Sequence, residues 1–268
     1  MTTQRQTKHE TLVKLGRIAR DAGAIVRRYF EHLRGDEVSH KGATDIVTVA
    51  DREVERYLQQ RLHEAFPAVA FYGEEGHYAP LATYERVFIV DPIDGTTSFV
   101  HGHPFHAVSL GLREEGQTSA GVVYLPYFDQ LYWAGRGQGA WKDGRRIRVS
   151  ANAEMLQALG GTGFGCVRAH AQPDNVPMLS EMIYRLRGFR TCGSAAIDLC
   201  YVAEGHYDVY WEYLLQPYDW EAGALIVEEA GGRVTGFDGQ PPRDDVGRIL
   251  ATNGLLHHEM MDIVAKHS

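Results

Sequence analysis

Two carboxylates stand three residues apart at the end of an apolar run, in the stretch VFIVDPIDGTTSFVHGHPF. Residues 87–90 predict a core strand, and Asp91 and Asp94 follow it directly. Pro92 disfavours helix at Asp91, and the carbonyl of Ile93 is expected to face the same side as the two carboxylates. Like charges this close repel each other, so the cluster requires cations. Oxygen ligands without a thiolate favour Mg²⁺, Mn²⁺ or Ca²⁺.

The three residues after Asp94 could bind an anion beside such cations. If Gly95, Thr96 and Thr97 open a short helix, their backbone N–H groups point toward the anion, and phosphate fits best. The alternative is purely structural, because a DGT sequence also forms a tight turn with a helix cap. This strand end alone does not separate the two interpretations.

Further acidic residues follow predicted elements elsewhere in the chain. Glu74 and Glu75 come after the apolar run 69–72, and Asp219 begins a predicted helix seven residues after Glu212. Singly, each is also explained as a solvated acid or as a favourable charge at a helix N-terminus. Together with Asp91 and Asp94 they predict a metal site built from several segments.

The elements that must position these residues are visible in the hydrophobic pattern. Two amphipathic helices are predicted, with apolar stripes from Leu15 to Tyr29 and from Val54 to Phe66, and Asp51 falls in or just before the first turn of the second. Short strands with Gly or Asp-Gly turns come next, at 87–90, 107–112, 121–125, 131–134 and 147–149.

After Ser150 the pattern changes to alternating strands and helices. The helices are predicted near 176–186, at 194–203, at 219–230 and after Asn253, with a strand at 207–212. The sequence shows no repeat and no free linker. We therefore expect an N-terminal half, residues 1–150, and a C-terminal α/β half, residues 151–268, packed as one unit.

Composition bounds the class of protein. The chain has 268 residues, 44% of them hydrophobic, which suffices for a large globular core. Its formal net charge is −8 and no basic run follows a nucleic-acid backbone or an anionic membrane, so neither is expected as a partner. The polar N-terminus and the lack of a roughly 20-residue apolar stretch predict a cytoplasmic protein.

Three other patterns suggest chemistry and are judged weak. His101, His103 and His106 form HxHxxH, but alternation along the following strand separates the rings, so a hydrogen-bonded or surface cluster is preferred over a zinc site. Three cysteines without CxxC spacing are expected to be reduced, and Cys192 lacks an evident base. The stretch GGTGFG does not have dinucleotide-binding spacing.

The motifs GEE, DPIDGTTSF and DWEAGALIVEEAGG, in this order and separation, resemble the signature segments of the inositol monophosphatase family. Members of this family are Mg²⁺-dependent, lithium-sensitive phosphatases. The resemblance covers about residues 12–264 and implies a layered αβαβα sandwich of the inositol monophosphatase and fructose-1,6-bisphosphatase type. One departure is Tyr218, where the family usually has tryptophan before the aspartate.

The resemblance also implies roles for individual residues. Glu74, Asp91, the carbonyl of Ile93, Asp94 and Asp219 would hold two or three Mg²⁺ ions, with Mn²⁺ a possible substitute. Asp51 would pair with Thr96 to orient and deprotonate a water held by the metals, and Glu74 would assist this catalytic group. The substrate would contact Asp94, Gly95, Thr96, Thr97, Gly193, Ser194, Ala195 and Glu212. Lys41 is assigned, more weakly, to a loop over the metals.

The function implied is hydrolysis of a small polyol or sugar phosphate, with myo-inositol 1-phosphate as the leading substrate. Fructose 1,6-bisphosphate, 3'-phosphoadenosine 5'-phosphate, histidinol phosphate and NADP stay open, because they share the metal core. A regulatory, protein-binding role is the alternative from a different class. Family members are commonly dimers, so a homodimer is expected.

Overall fold

The computed structural model describes residues 2–33, 37–40 and 46–267. Eight α-helices lie in this part of the chain: α1 Thr2–Tyr29, α2 Val49–Ala65, α3 Thr96–Val100, α4 Gly165–Arg168, α5 Val176–Met182, α6 Ala195–Ala203, α7 Pro217–Glu229 and α8 His257–His267. Among these helices, none is both long enough and apolar enough to cross a bilayer.

The strands form a large sheet, a smaller sheet and one short hairpin-like pair. The pair joins β1 Val38–His40 and β2 Ile46–Thr48. The large sheet contains β3 Ala70–Gly73, β4 Arg86–Asp94, β5 Ala107–Glu114, β6 Gln117–Leu125, β7 Gln130–Gly135, β8 Ala140–Lys142 and β9 Arg145–Arg146, in sequence order. The smaller sheet contains β10 Leu159–Thr162, β11 Gly188–Arg190, β12 Val209–Glu212, β13 Arg233–Thr235 and β14 Ile249–Thr252, ordered β11-β10-β12-β14-β13.

The helices and sheets stack in five layers. Helices α1 and α2 pack on the outer face of the large sheet, and α6 and α7 pack on its inner face. The same two helices contact the smaller sheet, whose other face packs against α5 and α8. This order confirms the αβαβα architecture expected from the sequence.

Side-chain alternation along β12 explains how one strand serves two cores. Tyr210 joins the apolar core around α6 and α7, whereas Val209 and Trp211 join the core beneath α5 and α8. All three side chains are fully buried. Since neighbouring residues of a strand point to opposite faces, both layers are held without any break in the strand.

Helix α7 lies directly on the backbone of the large sheet. A Cβ at Gly121 would lie 2.7 Å from the carbonyl oxygen of Ala222, and one at Gly111 would lie 2.8 Å from the Glu221 side chain. Arg113 on β5 then forms an ion pair with the buried Glu221. These contacts fix the helix that carries Asp219 at its N-terminus.

The predicted helices and most predicted strands are confirmed, with two differences. The strand predicted at 147–149 is wrong: Ile147 donates one hydrogen bond to Ala140, and Val149 turns away to donate to the carbonyl of Ala230 at the end of α7. The helix predicted near 176–186 ends at Met182. In both segments, apolar residues pack into the core from irregular chain, and the hydrophobic pattern alone does not distinguish such chain from a strand or a helix.

Candidate active site

The aspartates of the opening motif lie at an irregularity in β4. Asp91 pairs with Ser109 and Asp94 pairs with Ala107, so β4 carries one residue more than β5 between these points. Such a bulge re-aims side chains. Asp91 and Asp94 are both buried, the backbone N–H of Ile93 donates to Asp91 Oδ1 (3.0 Å), and the Ile93 side chain enters the core.

Gly95 makes the turn from this strand into α3. Its φ is +92°, and a Cβ there would lie 2.8 Å from the carbonyl oxygen of Phe105. Only glycine satisfies both conditions without strain. The short helix predicted after Asp94 therefore forms, at Thr96–Val100.

Asp51 occupies the third position of α2 and forms a capping box with Thr48. Its Oδ2 accepts hydrogen bonds from the backbone N–H (2.8 Å) and the hydroxyl (2.6 Å) of Thr48. Its Oδ1 faces the hydroxyl of Thr96 at 3.4 Å, and that hydroxyl also lies 3.1 Å from the carbonyl oxygen of Ile93. Burial raises the pKa of Asp51 to about 6, although the Thr48 hydrogen bonds oppose this.

Asp219 comes from the other half of the chain. Pro217 starts α7, and the backbone N–H of Gln216 donates to Asp219 Oδ2 (2.6 Å), which sets the carboxylate at the helix N-terminus. One carboxylate oxygen each from Asp91, Asp94 and Asp219 lie within 4.8 Å of one another. Glu74 lies on the wall of the same cavity and is not part of this tight group.

The N-terminus of α6 holds Asp94 in place. The Ser194 hydroxyl (2.6 Å) and the backbone N–H of Ala196 (2.7 Å) both donate to Asp94 Oδ2. Ser194 is itself buried and caps α6. Gly193 and Ala195 line the cavity and Ser194 does not, so the structure places Ser194 against a predicted ligand residue, and its contact with the substrate stays a prediction.

The end of β3 is held by a residue that the sequence reasoning missed. The backbone N–H of Glu75 donates to Glu55 Oε2 on α2 (2.8 Å), and a Cβ at Gly73 would lie 2.4 Å from the same oxygen. Glu55 is buried. The signal available in the sequence was the position of Glu55 next to the apolar stripe of α2, where a glutamate is uncommon.

The electrostatics of the aspartate cluster fit a divalent cation. Burial raises the pKa of Asp94 to about 6. Burial, and then the charges of Glu74, Asp94 and Asp219, raise the pKa of Asp91 well above its ordinary value. Burial and the charge of Asp94 do the same for the pKa of Asp219. Because the donors are all oxygens and repel one another, the residues present suit Mg²⁺ or a similar hard cation.

A cavity of about 620 Å³ opens beside the cluster and takes its walls from both halves of the chain. Glu212 lies on it, and the Tyr210 hydroxyl donates to Glu212 Oε2 (2.5 Å). A Cβ at Gly163 would lie 1.9 Å from Glu212 Oε1, so the carboxylate rests on the glycine backbone. Burial raises the pKa of Glu212 to about 7.

Several cavity residues were not predicted. They come from the segments that follow β10, β11 and β12, namely Phe164, Arg168, Ala169, Thr191, Tyr213, Leu214 and Leu215. Tyr218 also lines the cavity, and it packs against the small apolar cluster of Leu81, Val87 and Ile89. The glycine-rich stretch GGTGFG was the one unusual sequence feature in these segments, and it lies at the end of β10.

The remaining candidates among the described residues do not line the cavity. His106 is buried between Phe30 and Phe99, with His101 and His103 exposed, so the three rings do not converge. Cys166, Cys192 and Cys200 are buried and free, as expected. Lys41 lies outside the described residues.

The fold is that of a layered α/β protein with an acidic cluster whose oxygen donors suit a hard divalent cation. A sequence profile of the inositol monophosphatase family matches residues 8–268, and the chain belongs to that family.

Curated relatives carry two kinds of name. The chain is 37% identical over 248 residues to an inositol-1-monophosphatase from Mesorhizobium japonicum, covering 92% of this chain and 93% of the relative. It is 37% identical over 257 residues to a Nus factor SuhB from Pseudomonas aeruginosa, covering 94% of each. An inositol monophosphatase structure from Anabaena superposes with a TM-score of 0.87 at 33% identity, covering 97% of both chains.

Proposed function

We propose that this protein hydrolyses a phosphate monoester of a small polyol or sugar with Mg²⁺, and that myo-inositol 1-phosphate is its leading substrate. The observation that carries the proposal is the convergence of Asp91, Asp94 and Asp219 within 4.8 Å, beside the Asp51 and Thr96 pair. A cation-binding role alone does not require this pair.

The metal ligands in this proposal are Glu74, Asp91, the carbonyl of Ile93, Asp94 and Asp219, holding two or three Mg²⁺ ions with Mn²⁺ as a substitute. Bound there, the ions would neutralise phosphate charge and lower the pKa of water. The four carboxylates approximately balance two divalent ions.

Thr96 and Asp51 supply the proton acceptor. The Thr96 hydroxyl has one proton to donate, to Asp51 or to the Ile93 carbonyl, and its oxygen can accept a hydrogen bond from the attacking water. Asp51, with a pKa of about 6, is suited to accept a proton near neutral pH. Water then attacks phosphorus opposite the ester oxygen, giving the free alcohol and inorganic phosphate.

The substrate groups divide between the two halves. Gly95, Thr96 and Thr97 lie on the cavity wall next to the cluster and are assigned to the phosphate. Gly193, Ala195 and Glu212 also line the cavity and are assigned to the alcohol. Ser194 contributes through Asp94, which it fixes by a hydrogen bond.

Other small phosphate esters form the first alternative. Fructose 1,6-bisphosphate, 3'-phosphoadenosine 5'-phosphate, histidinol phosphate and NADP would meet the same metal ligands, and the cavity of about 620 Å³ does not select among them by size. We further propose lithium sensitivity, a homodimer and a cytoplasmic location, on the family likeness.

A protein-binding role is the second candidate. The observation in its favour is that the Pseudomonas aeruginosa relative named a Nus factor is as similar to this chain as the named phosphatase from Mesorhizobium japonicum. The Asp51 and Thr96 pair argues for catalysis, because metal retained for structure needs no group to accept a proton.

The test is phosphate release from inositol 1-phosphate and the four alternatives, with and without Mg²⁺, by the wild type and by Asp94→Asn. We expect Mg²⁺-dependent release that the variant loses, and the ranking of kcat/KM names the substrate. No release from any of the five compounds would move the function toward the protein-binding role.

A further inference from the structure

The cavity has two chemically different ends. At the metal end the wall carries Glu74, Asp91, Asp94 and Asp219. At the distal end, formed by residues 163–169 and 213–215, the wall is largely apolar and includes Phe164 and Leu214. Glu212 also lines the cavity and packs against Gly163. A substrate that places its phosphate at the metal end therefore extends its alcohol toward a surface with few acids.

Arg168 is the single lysine or arginine among the described residues that line this cavity. It is the last residue of α4 and is exposed. Within the described ranges its guanidinium forms no salt bridge, whereas Arg20, Arg113 and Arg136 are each paired with a carboxylate. A guanidinium without a protein carboxylate, facing a ligand cavity, is free to bind an anion from the ligand.

Glu212 lines the same cavity as Arg168, and its carboxylate is engaged elsewhere. Its Oε2 accepts the Tyr210 hydroxyl at 2.5 Å, and its carboxylate rests on the backbone of Gly163. Burial raises the pKa of Glu212 and the charge of Arg168 opposes this increase, although within the described ranges no salt bridge joins the two residues. The guanidinium of Arg168 therefore lines the cavity, and Glu212 forms no salt bridge with it.

We propose that Arg168 forms a subsite for a second anionic group, a phosphate or a carboxylate, on the alcohol of the substrate. This inference rests on the proposed phosphatase function and refines its substrate class. Between two esters of matched alcohols, the one with the additional anion is the better substrate. Among the four alternatives to myo-inositol 1-phosphate, the subsite favours those with a second phosphate over histidinol phosphate.

The test uses two matched substrate pairs. Fructose 1-phosphate and fructose 1,6-bisphosphate differ by a second phosphate, and glycerol 2-phosphate and 2-phosphoglycerate differ by a carboxylate. For at least one pair, kcat/KM of the wild type should be about tenfold higher for the member with the additional anion, the effect of one charge-assisted hydrogen bond. The pair that shows the larger ratio identifies the anion.

Three variants assign the effect to Arg168. Arg168→Gln should bring the ratio close to one, and Arg168→Lys should restore part of it. Arg187→Gln, which removes an exposed arginine outside the cavity, should leave the ratio at the wild-type value. A wild-type ratio near one for both pairs, or a high ratio unchanged in Arg168→Gln, would overturn the proposal.

Calorimetric titration with the same pairs separates this inference from the proposed function. If no compound releases phosphate, the phosphatase proposal fails, and the ratio of dissociation constants still reports on Arg168. Equal dissociation constants within both pairs would overturn the subsite, and a difference abolished by Arg168→Gln would support it.

Discussion

The metal end and the distal end of the cavity are built in opposite ways. At the metal end, buried side chains are fixed by hydrogen bonds from backbone and hydroxyl groups, as Thr48 fixes Asp51 and Ser194 fixes Asp94. At the distal end, exposed residues such as Arg168 and Leu214 stand on irregular or very short elements. The side chains at the metal end are therefore fixed by hydrogen bonds, whereas those named at the distal end are exposed to solvent.

The largest effect that separates the two ends is expected from Gly163→Ala. Its new Cβ would lie 1.9 Å from Glu212 Oε1, so the carboxylate must move. We expect kcat/KM to fall about a hundredfold, the order of loss for a misplaced substrate-positioning group, with Mg²⁺ affinity little changed.

Gly165→Ala is the matched control, because a Cβ there meets nothing within 4 Å. Steady-state kinetics and calorimetric Mg²⁺ titrations of both variants make the measurement. A parallel loss of Mg²⁺ affinity in Gly163→Ala would contradict the separation of the two ends.

A smaller effect is expected from Tyr210→Phe, which tests whether the Tyr210 hydroxyl positions the Glu212 carboxylate. The variant removes the hydroxyl that donates to Glu212 while keeping the ring in its core. Leaving a buried carboxylate short of one hydrogen bond should lower kcat/KM about tenfold.

Tyr201→Phe removes a hydroxyl from the same core without touching Glu212 and serves as the control. If the two variants behave alike in steady-state kinetics, the Tyr210 hydroxyl has no role in positioning Glu212.

The smallest effect concerns the stability of the metal end as pH changes. Without metal, Asp51 and Asp94 have pKa values of about 6 against an ordinary 3.8, so the folded protein binds more protons than the unfolded chain between these values. The free energy of unfolding of the metal-free protein therefore falls as pH rises through this window.

Mg²⁺ requires the deprotonated carboxylates, so it should raise the Tm more at about pH 7.5 than at about pH 5.5, by at least about 2 °C. Thermal melts with Mg²⁺ and with a chelator test this. Equal shifts at both pH values would show that the cluster does not bind the ion.

The sequence predicted the metal end far better than the distal end. Asp91, Asp94 and Gly95 belong to one continuous motif, whose local backbone already dictates how the residues face. Asp219 taken alone was equally explained as a favourable charge at a helix start, and it was assigned to the site only together with the other acidic segments and by the family resemblance. The helices were easier to predict, since a long apolar stripe specifies α1 and α2 without knowledge of their partners.

The distal end lacks such local signals. Arg168 and Leu214 are brought to one cavity by the packing of β10 beside β12, which is a property of the folded smaller sheet. Ser194 both caps α6 and donates a hydrogen bond to Asp94, which is 100 residues away in the sequence, so this contact depends on the packing of α6 against the end of β4. Long-range packing of this kind leaves no pattern in a single sequence.

The most direct test of the account is a calorimetric Mg²⁺ titration of Asp219→Asn beside the wild type. Asp219 belongs to the C-terminal half, whereas Asp91 and Asp94 belong to the N-terminal half, and the central claim is that together they form one metal site. The account predicts that Asp219→Asn loses affinity for at least one Mg²⁺ ion while remaining folded by circular dichroism. Unchanged stoichiometry and affinity in the folded variant would contradict it.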